Sequence, residues 1–195
     1  MYECIENKDI ILGSQSPRRI QLLQEIGLKF RSLHFSVDEL YPDHLSAQET
    51  AIYLSELKAK AFPSSEINAH SILITADTVV SIFDQILGKP KDVQEATKML
   101  QLLSGKAHEV ITAFTFYSPK KMKSYFSETK VYFKHLSSEE IDHYITHYQP
   151  FEKAGAYGIQ EWIGKIGIEK IEGSYFNVMG LPVHKVYQVL SEIVK

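Results

Sequence analysis

Several charged residues stand where a folded chain needs a partner for them. The stretch Ser14-Gln15-Ser16-Pro17-Arg18-Arg19 follows a short apolar run, Ile10 to Gly13, and precedes Ile20, Leu22, Leu23 and Ile26 at helical spacing. It reads as a strand-to-helix turn, with Ser16 as N-cap and Pro17 at the first helical position. Both arginines then fall in the first helical turn, where unpaired N–H groups and the helix dipole already present positive charge. Cations there are unfavourable by roughly 0.3–1 kcal/mol each unless something answers them. A bound phosphate would do so, gripped by backbone N–H groups, serine hydroxyls and guanidinium forks. Surface arginines snorkelling over apolar neighbours would account for the pair as well.

Three further positions extend that chemistry. Between Ala47 and Phe62, a helical projection gathers Ala47, Ala51, Leu54, Leu57, Ala61 and Phe62 into one arc with Lys58 in its middle. Lys58 either snorkels or reaches past the core edge into a pocket that holds negative charge. Asp77 follows the strand-like run Ile72 to Ala76, at the carboxyl edge where open α/β sheets bind ligands. An aspartate there can cap a turn, hold a divalent cation or accept a proton from water. Lys89, in Gly88-Lys89-Pro90, adds positive charge after the next β segment. Together these positions suggest phosphates plus a metal ion.

The elements that must position them alternate along the chain. The helix at Pro17 runs to Gly27, and a strand with mixed facing takes in Phe30, Leu33, Phe35 and Val37. Ala47 to Phe62 is helical, Ser71 to Ala76 is a strand, and Val79 to Leu87 is a further strand or hairpin. Asp92 to Leu103 is an amphipathic helix, closed by Ser104-Gly105. Two β-rich runs, Glu109 to Tyr117 and Ser124 to His135, flank the Ser118 to Lys121 turn. Ser137 and Glu140 form a capping box for a helix to Tyr148, and Pro182 to Val194 is a terminal helix. The β-rich middle is expected to stand against the N-terminal half with a cleft between them.

Composition narrows the class. The 195 residues carry a net charge of −3, so no general basic field points to nucleic acid, and anions must be held by a local cluster. The single cysteine, Cys4, excludes an internal disulfide framework and suits a reducing compartment. Met1 to Asp9 is polar and acidic, unlike a signal or transit peptide, and no apolar run approaches the roughly 20 residues of a membrane span. A soluble cytoplasmic protein with no membrane partner is expected. There is no Walker-type phosphate loop, no dinucleotide-binding glycine fingerprint and no Cys/His metal array. His143 and His147 share a helical face, but with Glu139 and Glu140 beside them a solvated polar face is the better account.

In this order the motifs resemble the Maf family of nucleoside triphosphate pyrophosphatases over nearly the whole chain. The series runs Ser14-x-Ser16-Pro17-Arg18-Arg19, Asp38-Glu39, Leu54-x3-Lys58-Ala59, Ala76-Asp77-Thr78-Val79-Val80, Gly88-Lys89-Pro90 and Leu103-Ser104-Gly105. It closes with Lys153-Ala154-Gly155-Ala156-Tyr157-Gly158-Ile159-Gln160 and Gly180-Leu181-Pro182. The resemblance implies a single domain over residues 1–195, an α/β fold similar to the inosine triphosphate pyrophosphatases, with two lobes, a central mixed sheet and a deep cleft. It implies hydrolysis of a nucleoside triphosphate to monophosphate and pyrophosphate with a divalent cation such as Mg²⁺ or Mn²⁺, and it is compatible with a homodimer. On this chain Asp77 would be the proton acceptor or a metal-associated carboxylate, and Glu39 would help hold the metal. Ser14, Arg19, Lys58 and Lys89 would grip phosphates. Arg18, Thr78 and Gln160 match the positions that set base preference in the branch acting on dTTP and UTP, whereas the 7-methyl-GTP branch resembles Ser-Pro-Trp-Arg, Ser-Asp-Gln and a glutamate at position 160. Gln15, where small residues are usual, and Glu152, where aspartate is common, depart from the pattern. A nucleotide-sensing regulator and a phosphatase releasing orthophosphate are the rival readings.

Overall fold

The computed structural model describes residues 8–193; Cys4, most of the polar N-terminal stretch and Val194 lie outside the described residues. A mixed sheet forms the middle of the molecule, in the order β2 (Arg31–Ser32), β1 (Asp9–Leu12), β3 (Ser71–Ile82), β5 (Ala107–Ser118), β6 (Lys121–Phe133), β7 (Ile168–Glu172). The short β4 (Gln85–Leu87) folds back on the end of β3. Pairing is parallel from β2 through β1 to β3 and antiparallel across β5, β6 and β7. The β-rich middle and the N-terminal half therefore share one sheet. No helix among the described residues is long and apolar enough to cross a membrane.

Alternation along the strands builds a core on each face. Ile10, Leu12, Ile72, Ile74, Ala76 and Val80 join the large core that α1 (Pro17–Glu25), α3 (Val93–Leu103), α4 (Ser138–Tyr148) and α7 (Val183–Ile193) complete. Ile11, Leu73 and Val79 point to the opposite face, where α2 (Ala47–Ala61) covers them with Ala51 and Ala59. Two short helices, α5 (Trp162–Gly167) and α6 (Tyr175–Met179), flank β7 in a region the sequence pattern leaves unassigned.

Local signals fix most helix starts. The Ser16 hydroxyl accepts from the Arg19 N–H with Pro17 in the first turn, and Ser46 and Ser137 form capping boxes with Glu49 and Glu140. Two strand expectations change. The run Phe30 to Val37 pairs only at Arg31–Ser32, because β1 ends at Leu12 and offers nothing further to pair with. Asp77 does not follow a strand that stops at Ala76: β3 continues through it to Ile82. The antiparallel neighbour β5 sustains the strand there, with Asp77 opposite Ala113 and Thr78 opposite Thr112. On its other side β3 has lost β1, whose pairing ends at Ile74. Asp77 thus sits just beyond the carboxyl end of the parallel part of the sheet, beside an open strand edge.

Candidate active site

That open edge borders a cleft of about 770 Å³. All nine residues singled out from the sequence line it, although they come from widely separated segments. Lys58 projects from the last turn of α2, an end of the helix that favours a cation. Its ammonium bridges two carboxylates, pairing with Asp77 and, at 2.8 Å, with Glu39 Oε1. Asp77 is buried, at 8% exposure. Lys89 stands 3.6 Å from Glu39 Oε2 and is more exposed. Burial pushes the Glu39 carboxyl up, but Lys58, Lys89 and Arg19 outweigh it and hold the group below its usual range.

The two arginines behave differently. The Arg19 guanidinium turns inward, donating from Nε to Gly180 O at 2.8 Å, from Nη1 to Ala76 O at 2.8 Å and from Nη2 to Thr78 Oγ1 at 3.1 Å. Ser14 Oγ lies 3.5 Å from Nη1 and also accepts from the Ser16 N–H. The cation at the helix start is therefore answered by protein oxygens as well as by the charges of Asp77 and Glu39, which oppose the lowering of its pKa by burial. Thr78 Oγ1 is in turn 2.9 Å from Thr112 Oγ1. Arg18 keeps its fork freer, with a 3.6 Å contact to the exposed Glu152.

Gln160 lies across the cleft, and its Oε1 is buried without a hydrogen bond from the described residues. The glycine-rich segment before it is shaped by close contacts. Gly155 has φ +69°, and a Cβ there would come within 2.9 Å of Val80 Cγ1, so the turn packs directly on β3. Beside it the sequence reading missed a group of residues. Lys153 is 5% exposed and pairs with Glu152 and, at 3.1 Å, with Glu161 Oε1; Tyr144 donates to Glu161 Oε2. Lys153 and Glu161 both line the cleft. The only sequence signal was a lysine set between Glu152 and a run of small residues. Tyr144 reads as plain core from its helical face.

Cations and carboxylates are nearly balanced in this cleft, since Lys58 and Lys153 are each paired to two carboxylates. A polyphosphate would thus arrive with more negative charge than the free cations offset. Among the described residues no group of three or more His, Cys, Asp or Glu is placed to hold a metal ion. Glu39 and Asp77 nevertheless fit the small share of ligands that hard divalent ions take from protein when phosphate oxygens complete the shell. His143 and His147 are exposed, their rings 4.2 Å apart, as a solvated face requires.

A mixed sheet flanked by helices, with a cation- and carboxylate-lined cleft at the end of its parallel strands, defines an α/β protein suited to an anionic ligand. The Maf-like protein family matches the chain over residues 9–193. The chain belongs to the Maf family. It is 48% identical over 193 residues to a Christiangramia forsetii protein named dTTP/UTP pyrophosphatase, covering 99% of this chain and 98% of the relative. A Porphyromonas gingivalis (strain W83) protein of the same name is 45% identical over 194 residues, covering 98% of both chains. Among solved structures, the Staphylococcus aureus Ham1 protein aligns with a TM-score of 0.43 at 18% identity, over 65% of this chain and 72% of that one, a likeness too distant to define the fold.

Proposed function

We propose that this protein hydrolyses nucleoside triphosphates, dTTP and UTP foremost, to the nucleoside monophosphate and pyrophosphate. One observation carries the reading: Arg19, Lys58 and Lys89 surround the Glu39–Asp77 carboxylate pair in a single cleft that Arg18 also lines. The full-length likeness to proteins named dTTP/UTP pyrophosphatase supports the same class and base preference.

In this reading Ser14, Arg19, Lys58 and Lys89 bind the phosphates. Lys58 exchanges its hold on Asp77 for phosphate oxygens as the triphosphate enters. Asp77 then accepts a proton from a water that attacks the α-phosphorus. The bond from that phosphorus to the bridging oxygen breaks, and pyrophosphate leaves with the electron pair. Cations fixed around the leaving group stabilise the charge it gains, more in the transition state than in the ground state. Glu39 and Asp77 would hold a divalent cation such as Mg²⁺ or Mn²⁺, which supplies further neutralisation of the polyphosphate. Arg18, Thr78 and Gln160 face the base, offering donors and acceptors to the two carbonyls and one N–H of a uracil or thymine edge. The free nucleotide pool implies a cytoplasmic location.

The test is product analysis. The protein is incubated with UTP, dTTP, CTP, ATP, GTP and 7-methyl-GTP in the presence of Mg²⁺ or Mn²⁺, and pyrophosphate is separated from orthophosphate. The expected products are UMP or dTMP with pyrophosphate, formed well ahead of the purine reactions. Orthophosphate release would assign a phosphatase instead, and tight binding without turnover a nucleotide sensor. Equal kcat/KM for UTP and 7-methyl-GTP would overturn the base assignment.

A further inference from the structure

The base end of the cleft rests on a partly buried polar chain to which the proposed chemistry gives no part. Tyr144, at 0% exposure on α4, donates its hydroxyl proton to Glu161 Oε2 and accepts the Gly158 N–H at 3.0 Å. Glu161 Oε1 is 3.1 Å from the buried Lys153 ammonium, which also pairs with Glu152. Glu152 reaches on to Arg18 at 3.6 Å. A Cβ on Gly158 would lie 2.9 Å from the Glu161 carboxyl carbon, which shows how closely the carboxylate folds back over the turn. Burial, then the hydrogen bond to Glu161 and its charge, push the Tyr144 phenol pKa up and keep it a donor.

The consequence is geometric. Gln160 lies between Gly158, whose N–H is held, and Glu161, whose carboxylate is held from two sides. With its own Oε1 unpartnered, the direction of the Gln160 amide depends on the backbone that these neighbours fix. At the other end the same chain touches Arg18. A helix (α4) and a glycine-rich turn are thereby joined across the pocket wall by partly buried contacts to a charged group, a setting in which polar groups are costly to leave unpaired.

We propose that Tyr144, Lys153 and Glu161 are positioning residues for base selection: they hold the 158–160 turn so that one base edge is matched and others are refused. The inference rests on the function proposed above for its substrate class. It assigns these residues to discrimination between bases rather than to bond cleavage.

The test compares wild type with Tyr144→Phe, which deletes only the hydroxyl, and with Glu161→Gln, which keeps a hydrogen-bond acceptor but removes the charge facing Lys153. Two ratios are read: kcat/KM for UTP over GTP, and Kd for the non-hydrolysable α,β-methylene analogues of the same nucleotides by calorimetry. A merely structural role lowers the active fraction equally for both nucleotides and cancels in each ratio. The expected result is a fall of about tenfold in the UTP preference of each variant, the scale of one buried hydrogen bond. Unchanged ratios in both variants, or a wild type that does not discriminate, overturn the inference. Binding with discrimination but no hydrolysis overturns only the proposed function, and no binding of either analogue to the wild type overturns both.

Discussion

Truncating Arg19 tests whether this residue waits for a ligand or holds the empty cleft together. From its place in the first turn of α1, Arg19→Ala would relieve repulsion worth roughly 0.3–1 kcal/mol. The structure sets a larger loss against that gain. The side chain donates to Gly180 O and Ala76 O, each at 2.8 Å, and to Thr78 Oγ1 at 3.1 Å. Hydrogen bonds from a charged group contribute about 1.5–3 kcal/mol each, part of which water recovers at a cleft wall. After subtracting the relieved repulsion, the net destabilisation is about 2–4 kcal/mol. In a protein of this size that lowers Tm by roughly 5–15 °C. Arg18→Ala is the control, since its ion pair, 3.6 Å to an exposed carboxylate, contributes about 0–1 kcal/mol. Differential scanning calorimetry of the ligand-free proteins, supported by urea midpoints, measures both. An Arg19→Ala protein that melts at or above wild type refutes the clamp and restores the simple account of an unanswered cation.

Two other outcomes follow from the same geometry. Asp77→Asn keeps shape and leaves Lys58 its 2.8 Å partner Glu39, so the fold should persist while kcat falls by about 10²–10⁴-fold; a near-normal kcat removes Asp77 from proton transfer. His108 is buried against Phe133 with Nε2 2.7 Å from the Tyr157 hydroxyl, and burial pushes its pKa from 6.5 down to about 4. Because the unfolded chain binds the proton more readily, stability is lost as pH falls from 6.5 towards 4, by about 3 kcal/mol in all. Urea midpoints between pH 7 and 4 should show this loss in wild type and lack it in His108→Gln; equal losses in the two refute the assignment.

What could be read from the sequence was local. Ser16 with Pro17 and Ser137 with Glu140 announce helix starts within four residues, and the structure places Ser16 and Ser137 as caps. Lys58 could be suspected because a charge in the middle of an apolar arc is an anomaly visible on one helix. The continuation of β3 through Asp77 was hidden, because an aspartate weakens a strand pattern and the neighbour that sustains it lies more than thirty residues onward. The partners of Arg19 were hidden for the same reason, since Gly180 and Ala76 come close only when the sheet and α6 are assembled. Tyr144, Lys153 and Glu161 were illegible as a group: each has an ordinary local role, and only the fold brings α4 against the glycine-rich turn.

The unequal lengths of β1 and β3 would let one strand serve both ends of the nucleotide in the proposed function. Successive residues of a strand point to opposite faces, so Asp77 and Thr78 cannot share a face of the sheet. Asp77 looks towards α2 and meets Lys58, whereas Thr78 looks towards α1 and meets Arg19 and Thr112. In the interior of a sheet the two would be sealed in separate cores. Here β1 stops pairing at Ile74, so the edge of β3 is bare at Asp77 and Thr78, and both faces open into one cleft. In the proposed reading, a nucleotide laid across that edge would meet the carboxylates and Lys58 on one side and Thr78, with its Arg19 partner, on the other. Arg19 reaches between them, binding Thr78 through one nitrogen and the Ala76 carbonyl, immediately before Asp77, through another. A displacement of this guanidinium is therefore felt at both ends, so substitutions at Arg19 should disturb base preference and turnover together, while those at Gln160 act on preference alone.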